Sequence, residues 1–265
     1  MNFNLLAYRN CANLGNTIQT YGLSHVINPS RGVWYDDIRN RPGEILVCNG
    51  WFQSTYQKID KSTRAVFAGI HLTDLGGFDI SKTVEWMRES NEVIGTRDPG
   101  TAQYLQSIGI QSEFIGCASL MIPRYDGPRT GGILYVDSDC RTSDGFQTLS
   151  HSFPASLPWQ QKWELVQKTI SLYRTAKCVY TTRLHVALPC IAMGTPVLIN
   201  SNVDKRRFSI LDYMGLKYDN FFEADVGKIR ETFVEFLKHR LGRDFTPSDP
   251  VMPTVEEIPS ASIQS

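Results

Sequence analysis

The chain has 265 residues, 42% of them hydrophobic, and its 27 Lys and Arg balance its 27 Asp and Glu. That length can bury two modest cores or one large one, and zero net charge leaves no overall field to gather nucleic acid, so a preference for anions must come from a local cluster. No apolar run nears the roughly 20 residues that cross a bilayer, and the opening MNFNLLAYRN lacks a basic stretch ahead of an apolar core, so a soluble, cytoplasmic protein with no membrane span and no nucleic-acid partner is expected. In chain order, residues 3–7, 45–48, 65–69, 92–95 and 112–115 read as short strands, with helices at 17–27, 80–89 and 100–108 between them. Asp98-Pro99-Gly100 is a helix start. Residues 123–130 turn to Pro, Gly and charge and read as a linker. Beyond it come strands at 132–136 and 146–150, a helix at 159–174, a strand at 178–181, a helix at 183–193, a strand at 197–200, and helices at 206–214 and 228–241. From Asp244 the text is Pro, Ser, Thr and Glu with few aromatics, which predicts a disordered tail at 244–265. Two α/β domains, 1–123 and 124–243, are the expectation. The six cysteines show no Cys-x-x-Cys spacing and are expected to be reduced.

The strand, helix and strand over 178–200 form a parallel βαβ unit. In such a unit the strand's carboxyl end and the helix's amino end face one crevice, where helix N–H groups favour an anion. Arg183 and His185 stand there, with Leu184 between them. The bland alternative is a surface arginine and a satisfied core histidine. By the same crevice argument His71 and His151, each at a strand end, are candidate proton-transfer or cleft groups, against the plain reading of packed histidines. Lys205, Arg206 and Arg207 form a basic run that usually marks a solvated face but here follows a strand toward the crevice. Trp51 and Phe52 follow a predicted strand end and are candidates to stack on a sugar; Trp159 and Trp163 read more simply as helix packing. Asn13-Leu14-Gly15-Asn16 is a turn before a helix, and Arg97 beside Asp98 reads either as a local ion pair or as part of a site.

Three motifs in order, NLGNTIQ at 13–19, GTRDPGTAQYLQSIGI at 95–110 and TTRLHVALPCIAMGTPVLI at 181–199, resemble the polysaccharide pyruvyl transferase family over residues 13–215. The resemblance implies two Rossmann-like domains facing across a cleft in the GT-B arrangement. It implies transfer of the enolpyruvyl unit of phosphoenolpyruvate onto a glycan sugar, free or carried on a nucleotide or lipid, to give a pyruvate ketal. Arg97, Arg183, Leu184, His185 and Arg207 would then surround phosphoenolpyruvate, and Asn13, Gly15, Asn16, Gln19, Trp51 and His151 would face the acceptor or the cleft. Relatives often carry Gly-Asp where this chain has Gly15-Asn16. An Arg fork suits the donor's carboxylate and phosphate, and protonating its methylene carbon suits a histidine, with His185 first and His71 second. No metal and no cofactor beyond the donor substrate is expected. The alternatives are a GT-B glycosyltransferase with a nucleotide-sugar donor and a catalytically silent glycan-binding relative.

Overall fold

A computed structural model gives the fold; the structure describes residues 2–52, 58–60, 62–72, 79–138, 146–200 and 207–255. The first half of the chain runs β1 (Asn2–Ala7), α1 (Leu14–Ser24), β2 (Arg31–Trp34), β3 (Asp37–Ile38), β4 (Glu44–Phe52), β5 (Lys58–Ile59), β6 (Ala65–Leu72), α2 (Ser81–Ser90), β7 (Ile94–Thr96), α3 (Pro99–Ser107) and β8 (Ser112–Phe114). Six of these strands form a parallel sheet in the order β2-β1-β4-β6-β7-β8, while β3 and β5 pair apart from it. The second half runs β9 (Ile133–Val136), β10 (Gln147–Leu149), α4 (Trp159–Thr175), β11 (Cys178–Thr181), α5 (Leu184–Met193), β12 (Val197–Ile199), α6 (Ser209–Tyr213), β13 (Phe221–Phe222) and α7 (Gly227–Leu241). Its sheet has the order β10-β9-β11-β12-β13 and is parallel except for β13. The protein is thus an α/β fold with two mainly parallel sheets. No described helix is long and apolar enough to cross a membrane.

Two strands run further than composition predicts. β4 continues through Asn49-Gly50 to Phe52 and β6 through His71 to Leu72, each with a register shift where they pair. Turn-forming residues at a bulge need not end a strand. Trp51 and His71 therefore lie within their strands, opposite one another in register. Phe52 is buried against Tyr35, Phe67 and Trp86, which removes it as a sugar-stacking ring. Trp159 and Trp163 are likewise buried. Strands β2, β3, β5 and β13 were not expected.

The carboxyl-terminal region corrects the expected tail. Helix α7 buries Ile229, Phe233, Phe236, Leu237 and Leu241, the one-sided spacing of an amphipathic helix, and packs back onto β6 of the first sheet. Residues 244–255 then lie along that sheet. Phe245 packs on Phe3, the Ser248 N–H donates to the His25 carbonyl at 2.8 Å, the Trp159 indole donates to the Pro253 carbonyl at 3.0 Å, and the Gly32 N–H donates to the Thr254 carbonyl at 2.8 Å. A polar composition predicts disorder only where no sheet edge or aromatic socket offers partners, and here both do. Residues 256–265 lie outside the described residues, as do Cys140, Lys205 and Arg206.

Helix α1 joins the two halves. It packs on β1 and β4 and also meets α4, α5 and the tight turn at Ala118–Met121. Every residue of α1 except Asn16 is buried, as a helix enclosed on all sides must be. At Gly22 the backbones approach so closely that an added Cβ would lie 2.2 Å from the Ala118 carbonyl oxygen. Gly22→Ala gains about 1 kcal/mol of helix propensity but overpacks against rigid backbone, a cost of about 1–3 kcal/mol or more. A net loss of about 2 kcal/mol in urea unfolding is the expected outcome; an unchanged or raised midpoint would contradict this packing.

Candidate active site

Arg97 and His185 are 88 positions apart and meet in the interior. Arg97 follows β7, its backbone N–H still paired to Ile70 of β6 at 2.7 Å. His185 stands in the first turn of α5, where its φ of −85° and ψ of 15° depart from the helix. Arg97 NH1 donates to His185 Nε2 at 3.3 Å, which leaves the ring's proton on Nδ1. His185 in turn lies against α1: a Cβ on Gly15 would stand 2.9 Å from both its Cβ and its Nδ1. Residue 15 must therefore be glycine for the ring to reach Arg97.

Asp98 organises the other side. It is the N-cap of α3, Oδ1 accepting from the Thr101 N–H and hydroxyl, each at 2.9 Å. Its Oδ2 accepts from His71 Nδ1 at 2.7 Å and lies 3.5 Å from Arg97 Nε. Burial raises the Asp98 pKa, but the His71 hydrogen bond, the charges of His71 and Arg97 and the Thr101 N–H outweigh it and hold the carboxyl low. The carboxylate fixes the His71 tautomer with Nδ1 as donor and Nε2 as acceptor. Sequence reading took Asp98 as a cap or local ion pair and missed this second role, although the adjacent Arg97 was the available signal.

Arg97 has 0% exposure, yet among the described residues its Nε and Nη2 have no hydrogen-bond partner. A buried guanidinium with an unmade donor is costly unless a ligand completes it. The surroundings favour an anion. Burial first, then Arg97 and Arg207, hold His185 well below its ordinary value. Burial and Arg97 bring His71 to about 4 against the pull of Asp98. Both rings are neutral near pH 7. Arg207 also lies over the Trp51 ring at 5.6 Å, beside the strand that carries His71. Gln19, fully buried, donates to the Gly15 carbonyl at 3.3 Å and accepts from Cys117 Sγ at 3.8 Å.

The remaining candidates stand apart from this contact. Arg183 is the N-cap residue of α5, 37% exposed, and its Nε donates to Asp137 Oδ2 at 3.0 Å. Asp137, which was not anticipated within the polar run after β9, also takes the Ser150 hydroxyl at 2.7 Å and the His151 N–H at 3.0 Å. Burial raises its pKa, and these donors with Arg183 bring it below the ordinary value. His151 is buried with Nε2 on the Tyr173 hydroxyl at 2.5 Å, and burial lowers its pKa to about 4. The Leu184 side chain is buried and apolar. Asn13 caps α1 by accepting from the Gly15 N–H at 3.0 Å, and Asn16 donates to Cys11 Sγ at 3.2 Å. The loop holding His151 reaches this turn, its carbonyl accepting from the Leu14 N–H at 2.9 Å. Among the described residues no three His, Cys, Asp or Glu side chains converge as metal ligands.

A sequence profile described as polysaccharide pyruvyl transferase matches residues 33–202, which include Trp51, His71, Arg97, Arg183 and His185. The chain belongs to that family. No curated protein matches it in sequence. Among solved structures, an uncharacterized protein of Klebsiella pneumoniae subsp. pneumoniae is similar with a TM-score of 0.52 at 14% identity, over 82% of this chain and 89% of that one. A UDP-GlcNAc 2-epimerase of Methanocaldococcus jannaschii, solved with UDP-GlcNAc and UDP, matches with a TM-score of 0.36 at 8% identity, over 94% and 95% of the two chains. In this member of the polysaccharide pyruvyl transferase family, the buried contact of Arg97 with His185 falls within the matched span.

The neutral histidines make stability depend on pH. Unfolded, His71 and His151 bind protons near 6.5; folded, they resist until about 4. The unfolded chain thus holds more protons in that window, so stability is complete above about pH 6.5 and falls as pH drops toward about 4. A loss of several kcal/mol between pH 7 and 4.5 is expected in urea denaturation, with uptake of more than one proton. A flat profile would show these rings to be charged in the folded state.

Proposed function

We propose that the protein transfers the pyruvyl group of phosphoenolpyruvate to two hydroxyls of a glycan sugar, with the donor bound at Arg97 and the carboxyl ends of the two sheets forming the walls of a GT-B-like cleft. The observation that carries this reading is the buried Arg97 guanidinium, whose Nη2 has no hydrogen-bond partner among the described residues and whose Nε meets only the Asp98 carboxylate, at 3.5 Å, in a family named for pyruvyl transfer. Such a fork accepts a planar carboxylate or a phosphate edge through parallel hydrogen bonds. Arg183, already offset by Asp137, supports the donor from the rim, with Arg207 on the side of Trp51.

Ketal formation adds a proton to the methylene carbon and two sugar oxygens to the central carbon, with phosphate leaving. The two hydroxyl protons lost replace the one given to carbon and add one to phosphate, so the ledger of protons closes without a metal or redox partner. His71 supplies the transferred proton from Nε2, its ring fixed by Asp98. Burial is the first cause that keeps His71 neutral and Arg97 the second; an anionic donor beside Arg97 offsets the second, so donor binding raises the proton affinity of Nε2, which must gain a proton before it gives one. His185, its Nε2 already accepting from Arg97, orients the guanidinium.

Calorimetric titration with phosphoenolpyruvate, UDP, GDP and CMP tests the donor. Binding of phosphoenolpyruvate, weakened by about 2–5 kcal/mol in Arg97→Met, is the expected result; binding of a nucleotide instead would move the protein to nucleotide-sugar chemistry, and binding of none would favour a silent relative. His71→Gln is expected to lower turnover by about 10²–10⁴-fold while the donor still binds. Loss of donor binding and turnover together would mean that His71 serves structure alone.

A further inference from the structure

A cavity of about 570 Å³ opens where β1 and β2 end, lined by Tyr8, Arg9, Cys11, Asn16, Tyr35 and Asp36. Its position ties it to the active site. Asn16 follows Gly15, which lies against His185, and Tyr8 is near enough to Arg97 for that charge to act on its phenol. One wall is aromatic: the half-buried Tyr35 ring, backed by the buried Tyr8 ring 5.0 Å away at 33°. The polar wall is an ion pair, Arg9 Nε donating to both Asp36 carboxylate oxygens at 2.9 Å, with the side chains 36% and 30% exposed.

This cavity and Arg97 are built for opposite kinds of ligand. Arg97 is buried with donors unmade, whereas Arg9 and Asp36 cancel each other's charge. A further anion would gain little from the guanidinium and be repelled by the carboxylate. A hydroxyl both donates and accepts, and two neighbouring hydroxyls span a carboxylate and a guanidinium held side by side. The C–H face of a pyranose is the apolar surface that an aromatic wall accepts, in a pocket with few polar groups that fix orientation.

We propose that this cavity binds a neutral hexose unit, and not a uronic acid or a sugar phosphate. Its role as the acceptor subsite rests on the pyruvyl-transfer reading; the sugar-binding assignment does not.

Cys11 is a half-buried free thiol on the cavity wall, so its alkylation reports occupancy without any turnover. The full chain is treated with iodoacetamide in the presence of methyl glucoside, galactoside, mannoside or glucuronide, and the Cys11 peptide is followed by mass spectrometry. At least one neutral glycoside is expected to slow Cys11 alkylation. Asp36→Asn and Arg9→Gln are each expected to raise the half-protecting concentration about tenfold or more, the effect of losing a charge-assisted hydrogen bond, with phosphoenolpyruvate affinity unchanged. Protection by none of the glycosides, strongest protection by the glucuronide, or unchanged protection in both variants would overturn the assignment. Protection without phosphoenolpyruvate binding in the unsubstituted protein would leave the sugar site standing and overturn only the pyruvyl-transfer reading.

Discussion

Arg97 is a buried cation with one carboxylate nearby and, among the described residues, two nitrogens without a hydrogen bond. A buried charge in that condition has to be held from several directions, or the chain would rearrange to hydrate it. The holders come from both halves of the molecule. Asp98 approaches from the start of α3, His71 stands behind it on β6, and His185 arrives on α5 of the second sheet. Gly15 of α1 supplies the space that lets the last of these close in. The strand ends of the two sheets are brought together around this one guanidinium.

The same environment sets the protonation of the imidazoles. Desolvation and neighbouring cations disfavour His71⁺ and His185⁺, and only Asp98 pulls the other way, on His71 alone. The two rings are therefore unequal. His71 has a carboxylate behind Nδ1, which leaves Nε2 as its accepting nitrogen, the arrangement that lets an imidazole gain and release a proton. His185 has an arginine in front and, among the described residues, no acid behind it.

Much of this arrangement was legible in the sequence because it is local. Asp98 before Pro99 announces α3, and the small and apolar run after Arg183 announces α5; both helices begin within one residue of expectation. The unit around Arg183 and His185 has the expected strand, helix and strand. Long-range pairing was not legible in composition or periodicity, and only the family resemblance put Arg97 and His185 in one site. Nothing in composition ties Arg97 to His185 or sends Arg183 to Asp137, since each partner is chosen by how the two sheets stack. Asn49-Gly50 reads as a turn by propensity, but in β4 the pair sits at a bulge flanked by strands on both sides. The run of residues 244–255 is polar enough to be disordered, and only the open edge of β2 and the pocket around Phe3 give it a place to lie. Tertiary partners override local preference most strongly where a segment has little of its own.

The chain passes between its two sheets twice, first after the turn at Ala118–Met121 and again before α7, which returns to pack on β6. Arg230 of α7 fastens the two passages together, its guanidinium donating to the carbonyls of Leu120, Ile122 and Ala192. Two covalent crossings lie side by side at this one guanidinium, so any sliding of one half along the other would have to break its three hydrogen bonds.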